Sequence, residues 1–141
     1  MTNFNYNDGG RADAGYKGLT RDCGIRALAI ALQKPYKGVY NKVNDFCKKE
    51  KPSKRRRGIS NARTGIHTHT YRKICEFYGL TWVPLMGIGT GCKVHLAKDE
   101  LPKGRIICRV SKHYVAVING IINDTYDCSR EGTRAVYGYW Y

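Results

Sequence analysis

Residues 20–32 read Thr20-Arg21-Asp22-Cys23-Gly24-Ile25-Arg26-Ala27-Leu28-Ala29-Ile30-Ala31-Leu32. Ile25, Leu28, Ala29 and Leu32 fall at i, i+3, i+4 and i+7, the apolar face of an α-helix. Ala27, Ile30 and Ala31 carry that face most of the way round, so the spacing predicts a core helix and not a surface one. Thr20 or Asp22 is placed to cap it by accepting from free backbone N–H groups. Cys23 then stands in the first turn, where the helix dipole offers about half a positive charge and favours a thiolate over a thiol. This makes Cys23 a candidate nucleophile. Taken alone, the stretch reads first as a small buried hydrophobe, so the rest of the chain must decide.

The deciding partner lies far downstream. Tyr114 to Ile118 and Ile121 to Thr125 are two apolar runs joined by Asn119-Gly120, a strong hairpin signal. With Asn119 and Gly120 at the centre of the turn, Ile118 faces Ile121, Val117 faces Ile122 and Val115 faces Asp124. His113, Val115, Val117, Ile122, Asp124 and Tyr126 then share one side, with His113 and Asp124 as diagonal neighbours about 7–8 Å apart at the backbone. Asp127 points to the other side or lies in the following loop. A thiolate nucleophile needs a base, and the base needs an orienting acceptor. In this register His113 can take the proton from Cys23 while Asp124 holds the other ring nitrogen; a slip of one residue breaks the pairing.

Between these stretches, Lys34-Pro35 stops the first helix and Pro35 opens a second, with Val39, Tyr40, Val43 and Phe46 or Cys47 as its stripe. A third helix runs from about His67 or His69 to Tyr78 and ends at Gly79. Residues 81–85 read as a short strand, 87–91 as a glycine-rich turn unlike a phosphate loop, and 92–101 as a helix or an extended segment. Strands follow at 105–110 and, rich in aromatics, at 134–141. The first 19 residues form a polar arm with a short strand near Phe4 to Tyr6. Helices first and an antiparallel sheet second predict an α+β fold in a single domain over residues 1–141.

At 141 residues the chain can build one real core without disulfide or metal staples. Its six cysteines form no C-x-x-C pair and several sit in apolar segments, which points to free thiols in a reducing cytoplasm. No signal peptide and no membrane-spanning run is visible, so no membrane partner is expected. The formal net charge of +14 favours acidic partners. Seven Lys or Arg residues lie between Lys48 and Arg57, in a basic loop at about 48–66 that reads as solvated. Lys54, Arg55, Arg56 and Arg57 are its candidate contacts to nucleic acid or to an acidic protein. Helix-turn-helix and zinc-finger spacings are absent. His67 and His69 with Cys47 and Cys75 fit no standard zinc pattern, and no metal or cofactor is predicted.

The order of a helix-leading Cys, a later His at a strand start and an Asp on the next strand resembles papain-like cysteine peptidases. The stretches Asp22–Ala31 and Ser111–Asp127 are similar to small papain-like proteins common in bacteriophage genomes, and more distantly to peptidases that cleave double-glycine leaders. The resemblance implies a papain-like fold with Cys23, His113 and Asp124 as the triad of a thiol protease. It implies a phage-encoded enzyme acting on a protein substrate in the host cytoplasm. Where the family pattern places a glutamine as oxyanion donor, this chain has Lys17. Lys17, or the Cys23 N–H with Thr20, would have to serve instead. The alternative is a non-catalytic basic binding module on the same scaffold.

Overall fold

Helix α1 spans Cys23–Leu32 in the computed structural model, which describes residues 3–18, 20–52, 58–86, 91–97 and 99–141. It is buried nearly all round, as the apolar spacing requires, with Ile25 and Leu28 fully enclosed. Helices α2 (Tyr36–Lys48) and α3 (Thr68–Phe77) pack beside it through Tyr36, Val39, Val43, Tyr71 and Ile74. The left-handed Gly79 after α3 closes a C-cap in which Leu80 N–H donates to the Cys75 carbonyl at 2.9 Å. The far end of α1 is held from the sheet: Arg105 donates to the Ala31 and Ile30 carbonyls at 2.9 and 2.6 Å.

Six strands form one sheet: β1 (Phe4–Tyr6), β2 (Trp82–Pro84), β3 (Arg105–Val110), β4 (His113–Ile118), β5 (Ile121–Asp124) and β6 (Gly138–Trp140). Their order is β1-β5-β4-β3-β6-β2. The fold is therefore α+β, but the sheet is mixed and not antiparallel throughout, because β1 runs parallel to β5. β1 caps the free edge of β5: Ile122 N–H donates to Asn3, Asn7 N–H donates to Asp124, and Asn5 Nδ2 donates to Asn123 Oδ1. All three of its residues are exposed, so no hydrophobic alternation marked the pairing.

The Asn119-Gly120 hairpin forms in the expected register, with Val117 opposite Ile122 and Ile118 opposite Ile121. Asn119 at φ 50° and Gly120 at φ 81° provide the left-handed pair that a tight two-residue turn demands. A second two-residue turn, Ser111-Lys112, joins β3 to β4, with Lys112 at φ 56°. Ala116 and Ile107 of the sheet face α1, whereas Val115, Val117, Ile122, Cys108 and Cys128 build a second core on the opposite face.

Two further expectations are corrected. The aromatic C-terminal segment is paired as a strand only at Gly138–Trp140, and Ala135 makes a single bridge to His95. That bridge is flanked by Leu96 N–H donating to the Arg134 carbonyl and Val136 N–H donating to the Val94 carbonyl, both at 2.9 Å, so of the two readings of 92–101 the extended one holds for residues 94–96. The basic run is not wholly solvated either: α2 continues to Lys48, and the Glu50 side chain is 4% exposed. The glycine turn at 87–91 lies, except for Gly91, outside the described residues. No helix among the described residues is long and apolar enough to cross a membrane.

Candidate active site

His113 opens β4 and Asp124 closes β5, so both stand at the open end of the hairpin. Their side chains share the face of Val115, Val117 and Ile122 by strand alternation. The diagonal contact closes as a hydrogen bond of 2.6 Å between His113 Nε2 and Asp124 Oδ2, with the two residues 8% and 3% exposed. The second carboxylate oxygen accepts from Thr125 N–H at 2.7 Å and from Arg26 Nη2 at 3.2 Å. Burial works against ionised Asp124, but His113, the Thr125 N–H and Arg26 outweigh it and hold the carboxyl below its ordinary range.

Cys23 comes from the other layer. It is the first residue of α1, and that end of the helix lies against the start of β4. Its thiol lines the same cleft as His113 and Tyr114, and the His113 ring and the Tyr114 N–H both act on it electrostatically. With Nε2 held by Asp124, Nδ1 is the ring nitrogen left for the thiol proton. Burial opposes a thiolate, yet the His113 bond and charge, the Tyr114 N–H and Arg26 lower the Cys23 pKa from its ordinary value. Burial likewise opposes an imidazolium, but the bond to Asp124, with those to Cys128 and Cys23, pushes His113 up to about 12. Both shifts favour a thiolate–imidazolium pair.

A buried ionic chain fixes this geometry. Asp22, with no solvent exposure, makes no side-chain cap, contrary to the expectation for it. Its carboxylate instead accepts from Arg26 and from the Tyr36 hydroxyl at 2.6 Å, with Arg11 Nε 3.3 Å away. Arg26 thus bridges Asp22 at the head of the helix to Asp124 on β5. Underneath, Tyr71 donates to the Gly24 carbonyl at 3.0 Å and stacks on Tyr114 at 4.0 Å. A Cβ on Gly24 would lie 2.6 Å from the Tyr71 ring, so only glycine lets α3 approach this closely.

Cys23, Gly24, His113 and Tyr114 line a cleft of about 480 Å³. Gly58 to Ser60 and Thr64 to Thr68 supply other parts of its lining. The Glu50 carboxylate anchors that segment by accepting from Ser60 N–H at 2.5 Å, from Ser60 Oγ at 2.5 Å and from the Thr70 hydroxyl. Those donors hold Glu50 below its ordinary pKa although burial pushes the other way.

The remaining residues singled out in the sequence fall elsewhere. Thr20 Oγ1 donates to the Arg63 carbonyl at 2.8 Å, so it neither caps α1 nor lines the Cys23 cleft. Lys17 is exposed, outside the cleft lining, and its carbonyl accepts from Arg63. Lys54, Arg55, Arg56 and Arg57 lie outside the described residues. His67 N-caps α3 and stacks on His69, while Cys47 pairs with Ser60 and Cys75 is buried. Asp127 lies beyond β5, and its carboxylate accepts from Ser129 N–H.

One metal-capable trio occurs among the described residues: ligand atoms of His113, Asp124 and Cys128 lie within 4.8 Å of one another. The donor types suit zinc. A cation held there would draw His113 and Asp124 away from Cys23.

The sequence reading paired His113 with Asp124, as the structure does, and missed what supports that pair. Arg26 did carry a signal, being the one charged side chain in α1 and standing four residues after Asp22. The Glu50 anchor and the Tyr71–Gly24 contact join distant segments and left no local trace. No protein-family model, curated protein or solved structure matches the chain.

Proposed function

We propose that the protein is a small papain-like cysteine hydrolase, of peptidase or isopeptidase type, acting on a protein substrate. The observation that carries this reading is the His113–Asp124 pair in one cleft with the Cys23 thiol, whose pKa the His113 ring lowers. The Cys23 thiolate adds to the acyl carbon, forming a C–S bond while the carbonyl π electrons move to oxygen. The Ile25 and Arg26 N–H groups are taken by the Asp22 carbonyl, which leaves the Cys23 and Gly24 N–H groups as the backbone donors for that developing charge. Collapse breaks the C–N bond as His113 gives its proton to the leaving amine. His113 then takes a proton from water, the hydroxide attacks the thioester, and the thiolate leaves. Asp124 and Arg26 hold the ring and its charge throughout. The reading places the enzyme in a reducing cytoplasm, where such a thiolate persists. Its resemblance to phage-encoded proteins puts host proteins among its substrates.

A second reading, a non-catalytic binding module, is favoured by one observation: neither Lys17 nor Thr20 lines the cleft as a side-chain oxyanion donor. Alkylation of the native protein with iodoacetamide across pH, mapped by mass spectrometry, separates the two. The hydrolase reading requires Cys23 to react ahead of the other cysteines at neutral pH and to slow in His113→Ala. An inert Cys23 in the folded protein ends it.

A further inference from the structure

The cleft does not stop at Tyr114. A second cavity of about 580 Å³ lies beyond it, walled by Trp82, Trp140, Tyr71 and His69. The two share His67, Thr68, Arg109 and Tyr114, so they form one groove that runs past the nucleophile. Arg21 and Lys112 line it near Cys23, Arg109 stands at the junction, and Arg72 lines the far end. Among the described residues no Asp or Glu lines either part.

The carboxylates near the site are committed elsewhere: Asp22 to Arg26, Asp124 to His113 and Glu50 to Ser60. Arg72 has Glu76 3.7 Å away, but Arg21, Arg109 and Lys112 form no ion pair with a carboxylate among the described residues. Arg109 is half-buried on β3 directly opposite Tyr114. Taking a guanidinium partly out of water without a counter-ion costs free energy that a ligand carboxylate would recover. Lys112 supports the same reading: its left-handed backbone, at φ 56°, is one that glycine adopts without strain, yet the position carries a charge in the lining of the Cys23 cleft.

We propose that this groove binds an acidic peptide segment, one carboxylate pairing with Arg109 and the neighbouring side chain lying against Trp82 and Trp140. The inference rests on the hydrolase reading for the direction of attack, and on the groove for the substrate class. A nucleic-acid strand needs cations spaced along a phosphate track. Arg21, Lys112, Arg109 and Arg72 do line this groove, but only Arg109 stands where its two parts meet, and the thiol in the same groove is acyl-directed, which favours a peptide.

The test uses full-length protein carrying Cys23→Ala, so that nothing turns over, and fluorescence anisotropy with labelled short peptides. The peptides share an aromatic centre and have Glu, Gln or Lys flanks; a labelled single-stranded oligonucleotide is the fourth probe. The acidic peptide should bind about tenfold or more tighter than the Gln peptide, with affinity falling as salt rises. Adding Arg109→Gln should remove about tenfold of that affinity and leave Gln-peptide binding unchanged, while Arg109→Lys restores part of it. Equal binding of acidic and neutral peptides, an Arg109→Gln variant that keeps the acidic preference, or an oligonucleotide that outcompetes the acidic peptide overturns the proposal. Acidic binding together with an inert Cys23 in the wild-type protein would sink the hydrolase reading alone. A reactive Cys23 without acidic preference would sink the substrate class alone.

Discussion

Arg26 Nη2 lies 3.2 Å from Asp124 Oδ1, tying the helix that begins at Cys23 to the strand that ends at Asp124, the partner of His113. The same guanidinium holds Asp22 at the head of that helix. Positioning of Cys23 and of His113 therefore passes through one buried cation.

Replacing it should loosen both. Arg26→Gln removes a positive charge that lowers the pKa of Cys23 and of Asp124, so the Cys23 pKa rises. Alkylation at pH 7 should slow as the thiolate fraction falls, and approach wild-type rates at alkaline pH. Asp22 keeps Tyr36 and Arg11 but loses the Arg26 bond, which should also cost about 1.5–3 kcal/mol of stability in urea unfolding. Arg26→Lys, which keeps the charge, should recover the alkylation rate better than the stability. Unchanged alkylation in a folded Arg26→Gln protein would deny Arg26 this role.

Asp124→Asn acts on the base directly. The bond to Asp124 is what lifts His113 to about 12 against burial, so the ring pKa should fall in this variant. The imidazolium that lowers Cys23 is then lost at neutral pH, and alkylation there should slow. Titration of the His113 ring by NMR gives the independent readout, and a ring that still stays protonated well above pH 7 contradicts the assignment. Asp127→Asn, whose carboxylate serves the loop at Ser129, should leave both measurements unchanged.

Acid sensitivity should trace in part to Glu50. Its folded pKa is depressed below the ordinary carboxylate value, so its stabilisation is complete above that value and is lost as pH falls through the folded one. Asp124 has the same sign. His113 has the opposite sign: its stabilisation is complete below about pH 6.5 and drains as pH rises toward 12. Glu50→Gln should therefore lower stability at pH 7 and flatten the fall below about pH 4.5, as read from urea midpoints across pH. An acid limb identical to wild type would show that the Ser60–Glu50–Thr70 anchor contributes nothing.

Gly24→Ala probes the packing under the nucleophile. The added Cβ meets the Tyr71 ring at 2.6 Å, and Tyr71 is wedged against Tyr114, so the clash cannot relax cheaply. The cost should be about 1–3 kcal/mol, with slower Cys23 alkylation as the first turn shifts. Tyr71→Phe, losing only the hydroxyl bond to the Gly24 carbonyl, should cost about 1 kcal/mol. If Gly24→Ala matches wild type in both measurements, the close approach is not what sets the site.

Arg105→Ala provides a distant comparison. It frees the Ile30 and Ala31 carbonyls at the C-terminal end of α1, away from Cys23. Stability should drop by about 1–2 kcal/mol while the Cys23 alkylation profile stays in place.

What the sequence by itself determined was local. An unbroken apolar spacing made residues 23–32 a core helix, and Asn119-Gly120 set a register that placed His113 beside Asp124. Both rest on short-range physics: helical periodicity, and a turn whose backbone only a few residue types adopt. Tertiary structure alone decided the rest. It brought Cys23 from the helical layer to His113 at the open end of the hairpin, and set Arg26 between two carboxylates. It added an exposed, polar β1 to the edge of β5, and turned Glu50 from part of a basic run into an anchor for the cleft. Each of these joins segments far apart in the chain. Their free energy comes from desolvated charges and backbone groups finding partners that no spacing along the sequence announces.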